Sequence, residues 1–193
     1  MPPSRRRPNE LRIIGGEWRG RRLSFPALPG LRPTPDRVRE TLFNWLAPVV
    51  QGARCLDLFA GSGALGLEAL SRGAVSVTFV DNQAAAIEQL QDNLKRLHGQ
   101  ARAEVVRADA LSWLASATGP YQIAFLDPPF ASRLAPGTLA TLSAPGLLEP
   151  GAWVYVEQGA GQPTPAPPEG WWLHRQGRAG SVGYHLFRTS ETR

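Results

Sequence analysis

The fold is decided by one glycine-rich stretch, Cys55-Leu56-Asp57-Leu58-Phe59-Ala60-Gly61-Ser62-Gly63-Ala64-Leu65-Gly66. An apolar run from about Ala53 stops at the glycines, and a helical pattern follows from Ala64 to Leu70, which predicts a strand, a tight loop and a helix. Glycines let the backbone approach a bound molecule closely, and the free N–H groups of a helix start favour acceptor groups. The spacing Gly61-x-Gly63-x-x-Gly66 also matches the dinucleotide fingerprint, so the glycines alone leave the ligand open.

Composition sets the broad class. The 193 residues suffice for one well-buried domain with an appendage. No apolar run approaches the roughly 18 residues of a membrane span, and the arginine-bearing N-terminus lacks the apolar segment of a secretory signal, so we expect a cytoplasmic protein. A single cysteine and three scattered histidines predict neither an internal disulfide nor a metal site.

The positive charge is concentrated at the N-terminus. Residues 1–39 contain ten arginines and three acids, a balance of +7, whereas the other 154 residues contain eleven basic and thirteen acidic side chains, a balance of −2. This distribution is typical of an arm that binds a polyanion such as RNA or DNA, although a solvated basic tail is the simpler interpretation of Arg5 to Arg7.

The segment from Arg12 to Leu23 alternates apolar and basic residues, which favours a short β-hairpin with a basic face. We therefore predict a basic N-terminal extension over residues 1–33 and a larger domain over residues 34–193. The candidate residues of the hairpin for binding a polyanion such as RNA are Arg12, Trp18, Arg19, Arg21 and Arg22.

Helical and strand patterns then alternate along the chain. Thr34 as cap and Pro35 at the first helical position predict a helix that Pro48 ends, with Arg37, Arg39 and Glu40 mostly facing water. Further on, we predict strands over residues 75–80, 104–109, 121–126 and 152–156, helices over 83–97 and 111–114, a loop over 162–169, and a closing antiparallel hairpin from residues 171–175 and 184–187. Such alternation predicts an α/β fold with a mostly parallel sheet, helices on both faces and a C-terminal antiparallel hairpin.

Four successive strands end in an aspartate: Asp57, Asp81, Asp109 and Asp127. Any one of them could simply form a turn or cap a helix. In an open α/β sheet, however, ligands bind at the carboxyl ends of the strands, so four acids there indicate one crevice. Asp81 is placed to accept hydrogen bonds from ribose hydroxyls, and Asp109 is placed to accept one from an exocyclic amino group. A carboxylate at Asp57 would repel a pyrophosphate but suits a cation, which favours S-adenosylmethionine over NAD.

The sharpest motif is Asp127-Pro128-Pro129-Phe130. Two prolines stiffen the loop and remove two donors, so Asp127 and the Pro128 carbonyl are predicted acceptors for a planar amino group, with Phe130 stacking on its ring. The alternative is a proline-bounded loop with a buried phenylalanine. No thiol lies near this loop, so a covalent cytosine-C5 mechanism lacks its nucleophile.

These motifs resemble those of class I S-adenosylmethionine-dependent methyltransferases with a Rossmann-like fold. The runs Arg12 to Gly20, Leu31 to Trp45 and Gly61 to Ser71 more narrowly resemble the RsmD family of bacterial small-subunit ribosomal RNA methyltransferases. The resemblance implies methylation of guanine N2 at position 966 of 16S rRNA in an assembled or assembling small subunit, by a monomer that uses no metal. It also implies a catalytic set and a cofactor set: Asp127, Pro128 and Phe130 for the first, and Asp57, Phe59, Ala60, Gly61, Ser62, Gly63, Asp81, Asn82, Asp109 and Ala110 for the second.

Three other functions stay open at this point. A DNA adenine-N6 methyltransferase would use the same acceptor loop. A NAD-linked dehydrogenase shares the glycine spacing but needs a substrate domain that this chain lacks, and a non-catalytic RNA-binding module would keep only the basic hairpin.

Overall fold

A short antiparallel hairpin opens the described part of the chain. The computed structural model describes residues 9–129 and 134–191. Strands β1 (Glu10–Arg12) and β2 (Arg22–Ser24) pair with Leu11 opposite Leu23. An N-terminal hairpin is thus present, but its two short strands lie at the ends of the predicted stretch from Arg12 to Leu23.

The central sheet has seven strands in the order β5-β4-β3-β6-β7-β9-β8. Strands β3 to β7 pair in parallel with one another, and β9, antiparallel to both β7 and β8, joins the last strand at one edge. This confirms the predicted mostly parallel sheet with its C-terminal antiparallel hairpin. The strands are β3 (Arg54–Asp57), β4 (Ser76–Asp81), β5 (Ala103–Arg107), β6 (Tyr121–Leu126), β7 (Leu148–Gly159), β8 (Trp172–Ala179) and β9 (Val182–Arg188).

Helices cover both faces of this sheet, as predicted. In the described ranges they are α1 (Asp36–Leu46), α2 (Ala64–Ser71), α3 (Ala84–Leu97), α4 (Ala110–Leu114) and α5 (Leu134–Leu142), with a 3₁₀ turn at Gln100–Arg102. Buried residues of α1, α2 and α3 share one apolar core with one face of the sheet, and those of α4 and α5 share a second core with the other face. None of the helices in the described ranges combines the length and the apolar character needed to cross a membrane.

Helix α5 and the full length of β7 were not predicted. Pro136 and Gly137 interrupt the pattern of α5, but Pro136 lies in the first helical turn, where its missing N–H costs no hydrogen bond. The predicted strand 152–156 continues to Gly159, so that Glu157 lies inside β7.

The start of α1 differs from the prediction. Pro35 takes the N-cap position, and the Thr34 hydroxyl donates instead to Glu157 Oε1 at 2.6 Å. Thr34 as helix cap is therefore wrong. Arg39, expected to face water, is 1 % exposed, and its guanidinium donates to the Thr34 and Arg12 carbonyls and to two carboxylates.

The N-terminal hairpin packs on the helices beside the central sheet. Leu11, Ile13, Trp18 and Leu23 are buried in the core that also contains α1 and α2. The buried Glu68 of α2 accepts hydrogen bonds from the Ile14 and Gly15 backbone N–H groups at 2.9 and 2.8 Å. The boundary after residue 33 stays a prediction, although side chains on both sides of it share one core.

Trp18 is buried where the hairpin meets the rest of the protein. Its side chain is 4 % exposed and lies under the Arg102 guanidinium, 5.1 Å from the ring centroid. Its backbone N–H donates to Ser71 Oγ. A tryptophan held in this way stabilises the hairpin against α2 and α3. Its burial gives no support to the predicted role in RNA binding, which stays a prediction.

Candidate active site

The carboxyl ends of three adjacent strands bring the predicted site together. Asp57 pairs in register with Phe125 across β3 and β6, and Leu126 pairs with Val156 across β6 and β7. The glycine loop after β3 and the Asp127 loop after β6 therefore leave the same edge of the sheet side by side.

The glycine loop has the conformation that its sequence predicts. Gly61 and Gly63 have φ angles of +51° and +75°, which side chains with a Cβ rarely adopt, and Gly63 is the N-cap of α2. The Ala60 N–H donates to the Val80 carbonyl, and Ser62 is 5 % exposed. The loop is thus a tight, backbone-lined turn between β3 and α2.

The third glycine serves packing. A Cβ on Gly66 would lie 2.2 Å from Phe79 Cε1 and 3.0 Å from Asp57 Oδ2. Only a residue without a side chain allows α2 to approach β4 this closely.

Asp57 is hydrogen-bonded to the first turn of α2. It is 2 % exposed, and its Oδ2 accepts the Gly66 N–H at 2.9 Å. Burial raises the pKa of Asp57 to about 7, with further increases from the nearby charges of Asp81 and Glu157 and an opposing decrease from the Gly66 hydrogen bond. These contacts fix the glycine loop, and a direct contact of Asp57 with a cofactor stays a prediction.

Asp81 connects the second strand to the glycine loop. Its Oδ2 accepts the Gly61 N–H and its Oδ1 the Gln83 N–H, each at 2.8 Å. Each carboxylate oxygen keeps a second lone pair, so the group can still accept ribose hydroxyls. The neighbouring Asn82 is exposed, whereas Phe59 is half-buried against the second core.

Asp109 is the N-cap of α4. Its Oδ1 accepts the backbone N–H and the hydroxyl of Ser112, both at 2.9 Å, and these bonds lower the pKa of Asp109. The side chain is exposed, and Ala110 behind it is buried. The capping interpretation is therefore confirmed for Asp109, and its role toward an adenine amino group stays a prediction.

The acceptor loop begins at the partly buried Asp127, followed by the buried Pro128 and the exposed Pro129. Burial raises the pKa of Asp127 well above its usual value, and the like charges of Glu157 and Asp57 raise it further. Phe130, the predicted stacking residue, lies outside the described residues.

Glu157 is the site residue that sequence reasoning missed. It is 2 % exposed, and its Oε1 accepts the hydroxyls of Thr34 at 2.6 Å and Tyr155 at 3.0 Å. Glu157 has the same sequence pattern that identified the four aspartates, namely an acidic residue near the end of a strand. It was overlooked because β7 was predicted to end one residue earlier.

The segment before α1 lies over the glycine loop. A Cβ built on Gly61 would lie 2.7 Å from Leu31 Cδ1, so Leu31 packs directly on that glycine. Three residues later Thr34 donates a hydrogen bond to Glu157, so the segment extends from the glycine loop to the end of β7.

Four of the five candidate RNA-binding residues are exposed. Arg12, Arg19, Arg21 and Arg22 present their side chains at or near the surface of the hairpin, and Trp18 does not. Arg22 forms a 3.5 Å ion pair with Glu10, and Arg12 lies 3.9 Å from Asp36.

The family model described as "Conserved hypothetical protein 95" matches residues 11–188. The chain is also 50 % identical over 186 residues to "Ribosomal RNA small subunit methyltransferase D" of Escherichia coli (strain K12), covering 96 % of this chain and 93 % of that protein. The chain belongs to the RsmD family.

Solved structures agree with this membership. The Escherichia coli protein yhhF superposes with a TM-score of 0.88 at 47 % identity, over 95 % of this chain and 99 % of that one. A more distant RNA methyltransferase from Salinibacter ruber, in complex with S-adenosyl-L-homocysteine, shares the fold with a TM-score of 0.61 at 17 % identity, over 84 % of this chain and 96 % of that one. The RsmD-family chain thus has the class I methyltransferase fold.

Proposed function

We propose that this protein transfers a methyl group from S-adenosylmethionine to the exocyclic N2 of the guanine at position 966 of 16S rRNA. The observation that carries the proposal is the placement of the glycine loop and the Asp127-Pro128 loop at the ends of adjacent strands β3 and β6. A donor held over the first loop and an amino group held at the second would meet between them. The relatives named above support ribosomal RNA as the substrate class and do not favour the DNA adenine alternative.

The residues of this edge fit S-adenosylmethionine. Gly61 and Gly63 have positive φ angles and form a turn lined by backbone, and the carboxylates of Asp81 and Asp109 lie at the ends of β4 and β5, where hydroxyl and amino donors would meet acceptors. When bound, S-adenosylmethionine supplies a methyl carbon that bonds to guanine N2 as its carbon–sulfur bond breaks, the electron pair of that bond going to sulfur.

The acceptor loop orients the amino group. Asp127 and the Pro128 carbonyl each accept one N–H of the guanine amino group, which turns the nitrogen lone pair toward the methyl carbon. That lone pair is delocalised into the ring, so these bonds also favour the pyramidal nitrogen. The proton that the nitrogen loses goes to the Asp127 carboxylate or to water. Positioning and electrostatics supply most of the rate enhancement.

The target guanine must first leave its stack. Flipping a base costs a few kcal/mol, and contacts to the flanking RNA offset this cost. Arg12, Arg19, Arg21 and Arg22 of the hairpin supply those contacts, since exposed guanidinium groups suit phosphates. We expect the protein to act as a monomer in the cytoplasm, on a small subunit that is assembled or assembling.

Mass mapping of methylated nucleotides in 16S rRNA tests the proposal, with RNA taken from cells with and without the gene. We expect N2-methylguanine at position 966 only when the gene is present, and its restoration by the cloned gene. An unchanged guanine 966 contradicts the proposal. Parallel assays of methyl incorporation into DNA, free 16S rRNA and small subunits identify the acceptor.

A further inference from the structure

A buried glutamate stands beside the proposed acceptor loop. Glu157 lies near the end of β7, and its Oε1 accepts two hydroxyl hydrogen bonds, from Thr34 and from Tyr155. Two donors on one oxygen are typical of an ionised carboxylate, which accepts but does not donate. Burying an ionised carboxylate is costly unless it is paired or hydrogen-bonded, and the two hydroxyls supply such bonds to Glu157, which is 2 % exposed.

Asp127 is a neighbour that this charge affects. Leu126 and Val156 are partners in the β6–β7 register, so Asp127, the first residue after β6, and Glu157 in β7 each follow a member of this pair. Glu157 is the charge that most raises the pKa of Asp127. Burial likewise raises the pKa of Glu157 to about 7, against the lowering effect of its two hydroxyl donors and of Arg39.

The other titratable and charged groups around Glu157 come from four elements. Asp57 ends β3, Arg39 lies on α1, Tyr155 precedes Glu157 on β7 and Tyr184 lies on β9. Tyr155 and Arg39 keep their charge state near neutral pH, because burial and Glu157 raise the pKa of Tyr155 and a guanidinium does not titrate. The groups that can change charge there are thus the three acids.

We propose that Glu157 is a positioning residue for the methyl transfer, whose carboxylate, held by Thr34 and Tyr155, makes its neighbour Asp127 a stronger acceptor for the proton of the guanine amino group. The inference rests on the function proposed above. Two like charges that share a buried edge bind a proton more readily than either would alone. The proton released from guanine N2 therefore passes readily to the Asp127 carboxylate. Glu157 itself touches no substrate.

Glu157→Gln tests this role. Glutamine keeps the shape and an oxygen that accepts a hydroxyl, but it has no charge. In the pH profile of kcat, we expect the acid limb to move to lower pH by about one unit or more and the plateau to fall, because Asp127 ionises more easily and becomes a weaker base. Glu88→Gln removes the same charge from an exposed site on α3 and should leave the profile unchanged.

A readout independent of turnover uses the ligand-free protein. Carboxyl ¹³C NMR of labelled aspartate should show the Asp127 titration midpoint moving to lower pH in Glu157→Gln. Tyr155→Phe, which keeps the buried ring and removes one donor to Glu157, should move the midpoint in the same direction by a smaller amount. An Asp127 midpoint that is the same in wild type and in Glu157→Gln overturns the proposal. If the wild type methylates no RNA, the proposed function fails, whereas the NMR result still decides the link between the two carboxyls.

Discussion

Arg39 and Glu68 form a buried ion pair, with Nη1 of the arginine 3.2 Å from Oε2 of the glutamate. Both side chains are at most 1 % exposed. Glu68 also accepts from Arg72 Nε at 2.8 Å and from two backbone N–H groups of the N-terminal segment. One carboxylate therefore joins α1, α2 and the base of the hairpin.

Glu68→Gln should destabilise the protein strongly. The substitution leaves the buried Arg39 with one carboxylate partner fewer, and breaking a buried pair costs about 3–5 kcal/mol. Urea denaturation measures the free energy of unfolding. Asp92→Asn, which breaks the exposed Lys95–Asp92 pair, should cost about 0.5 kcal/mol or less. Equal losses in the two variants would show that burial of the pair does not matter.

Gly66→Ala should be destabilising, and Gly137→Ala should not. At Gly66 a Cβ would meet the Phe79 ring at 2.2 Å, and overpacking of this kind costs about 1–3 kcal/mol or more. At Gly137, inside α5, nothing lies within 4 Å of the added Cβ, and replacing a helical glycine gains about 0.5–1 kcal/mol. Thermal unfolding of both variants separates the two effects, and a tolerated Gly66→Ala would contradict the close approach of α2 to β4.

Asp57 should make stability depend on pH. Its folded pKa of about 7 lies above the unfolded value, so the folded state binds an extra proton between about pH 4 and 7. The stabilising contribution of this proton is fully present below about pH 4 and is lost as the pH rises through about 7. Between about pH 4 and 7, the free energy of unfolding of the wild type should fall by on the order of 4 kcal/mol at most relative to that of Asp57→Asn. Urea denaturation of the ligand-free proteins from pH 4.5 to 8 measures the difference, and parallel stability curves would contradict the assignment.

Asp127→Ala should abolish methyl transfer to 16S rRNA while leaving S-adenosylmethionine binding intact. The carboxylate orients the amino group and takes its proton, but it belongs to the loop after β6, whereas the glycine turn proposed to hold the cofactor follows β3 and is built from other residues. Methyl incorporation and isothermal calorimetry provide the two measurements. Glu88→Gln serves as the control for charge, and full activity of Asp127→Ala would remove Asp127 from the mechanism.

Reversing the charge of the hairpin should weaken RNA binding. Arg19→Glu combined with Arg21→Glu should lower the affinity for the 16S rRNA substrate and reduce its salt dependence, since fewer phosphates are neutralised. The affinity for S-adenosylmethionine should not change. Arg107→Glu, at an exposed position on β5, is the control for net charge. If Arg107→Glu weakens binding as much as the double variant, the effect belongs to total charge and not to the hairpin.

Much of the candidate site followed from local sequence signals. Gly61 and Gly63 adopt positive φ angles because few other residues can, and Asp109 caps α4 because the next backbone N–H groups need an acceptor. The five parallel strands were readable because buried strands are continuous apolar runs between turns. Thr34 was misassigned because a helix-capping threonine looks the same in sequence as a threonine that is hydrogen-bonded to a distant partner.

By itself, the sequence determined the parallel α/β fold, the glycine loop and the row of strand-end aspartates, because periodicity, backbone freedom and turn chemistry are properties of neighbouring residues. Only the tertiary structure decided which charges are buried together. Arg39 meets Glu68 across 29 positions, and Thr34 meets Glu157 across 123. No local pattern encodes such pairs, since they depend on how α1 and its preceding segment cross the completed sheet.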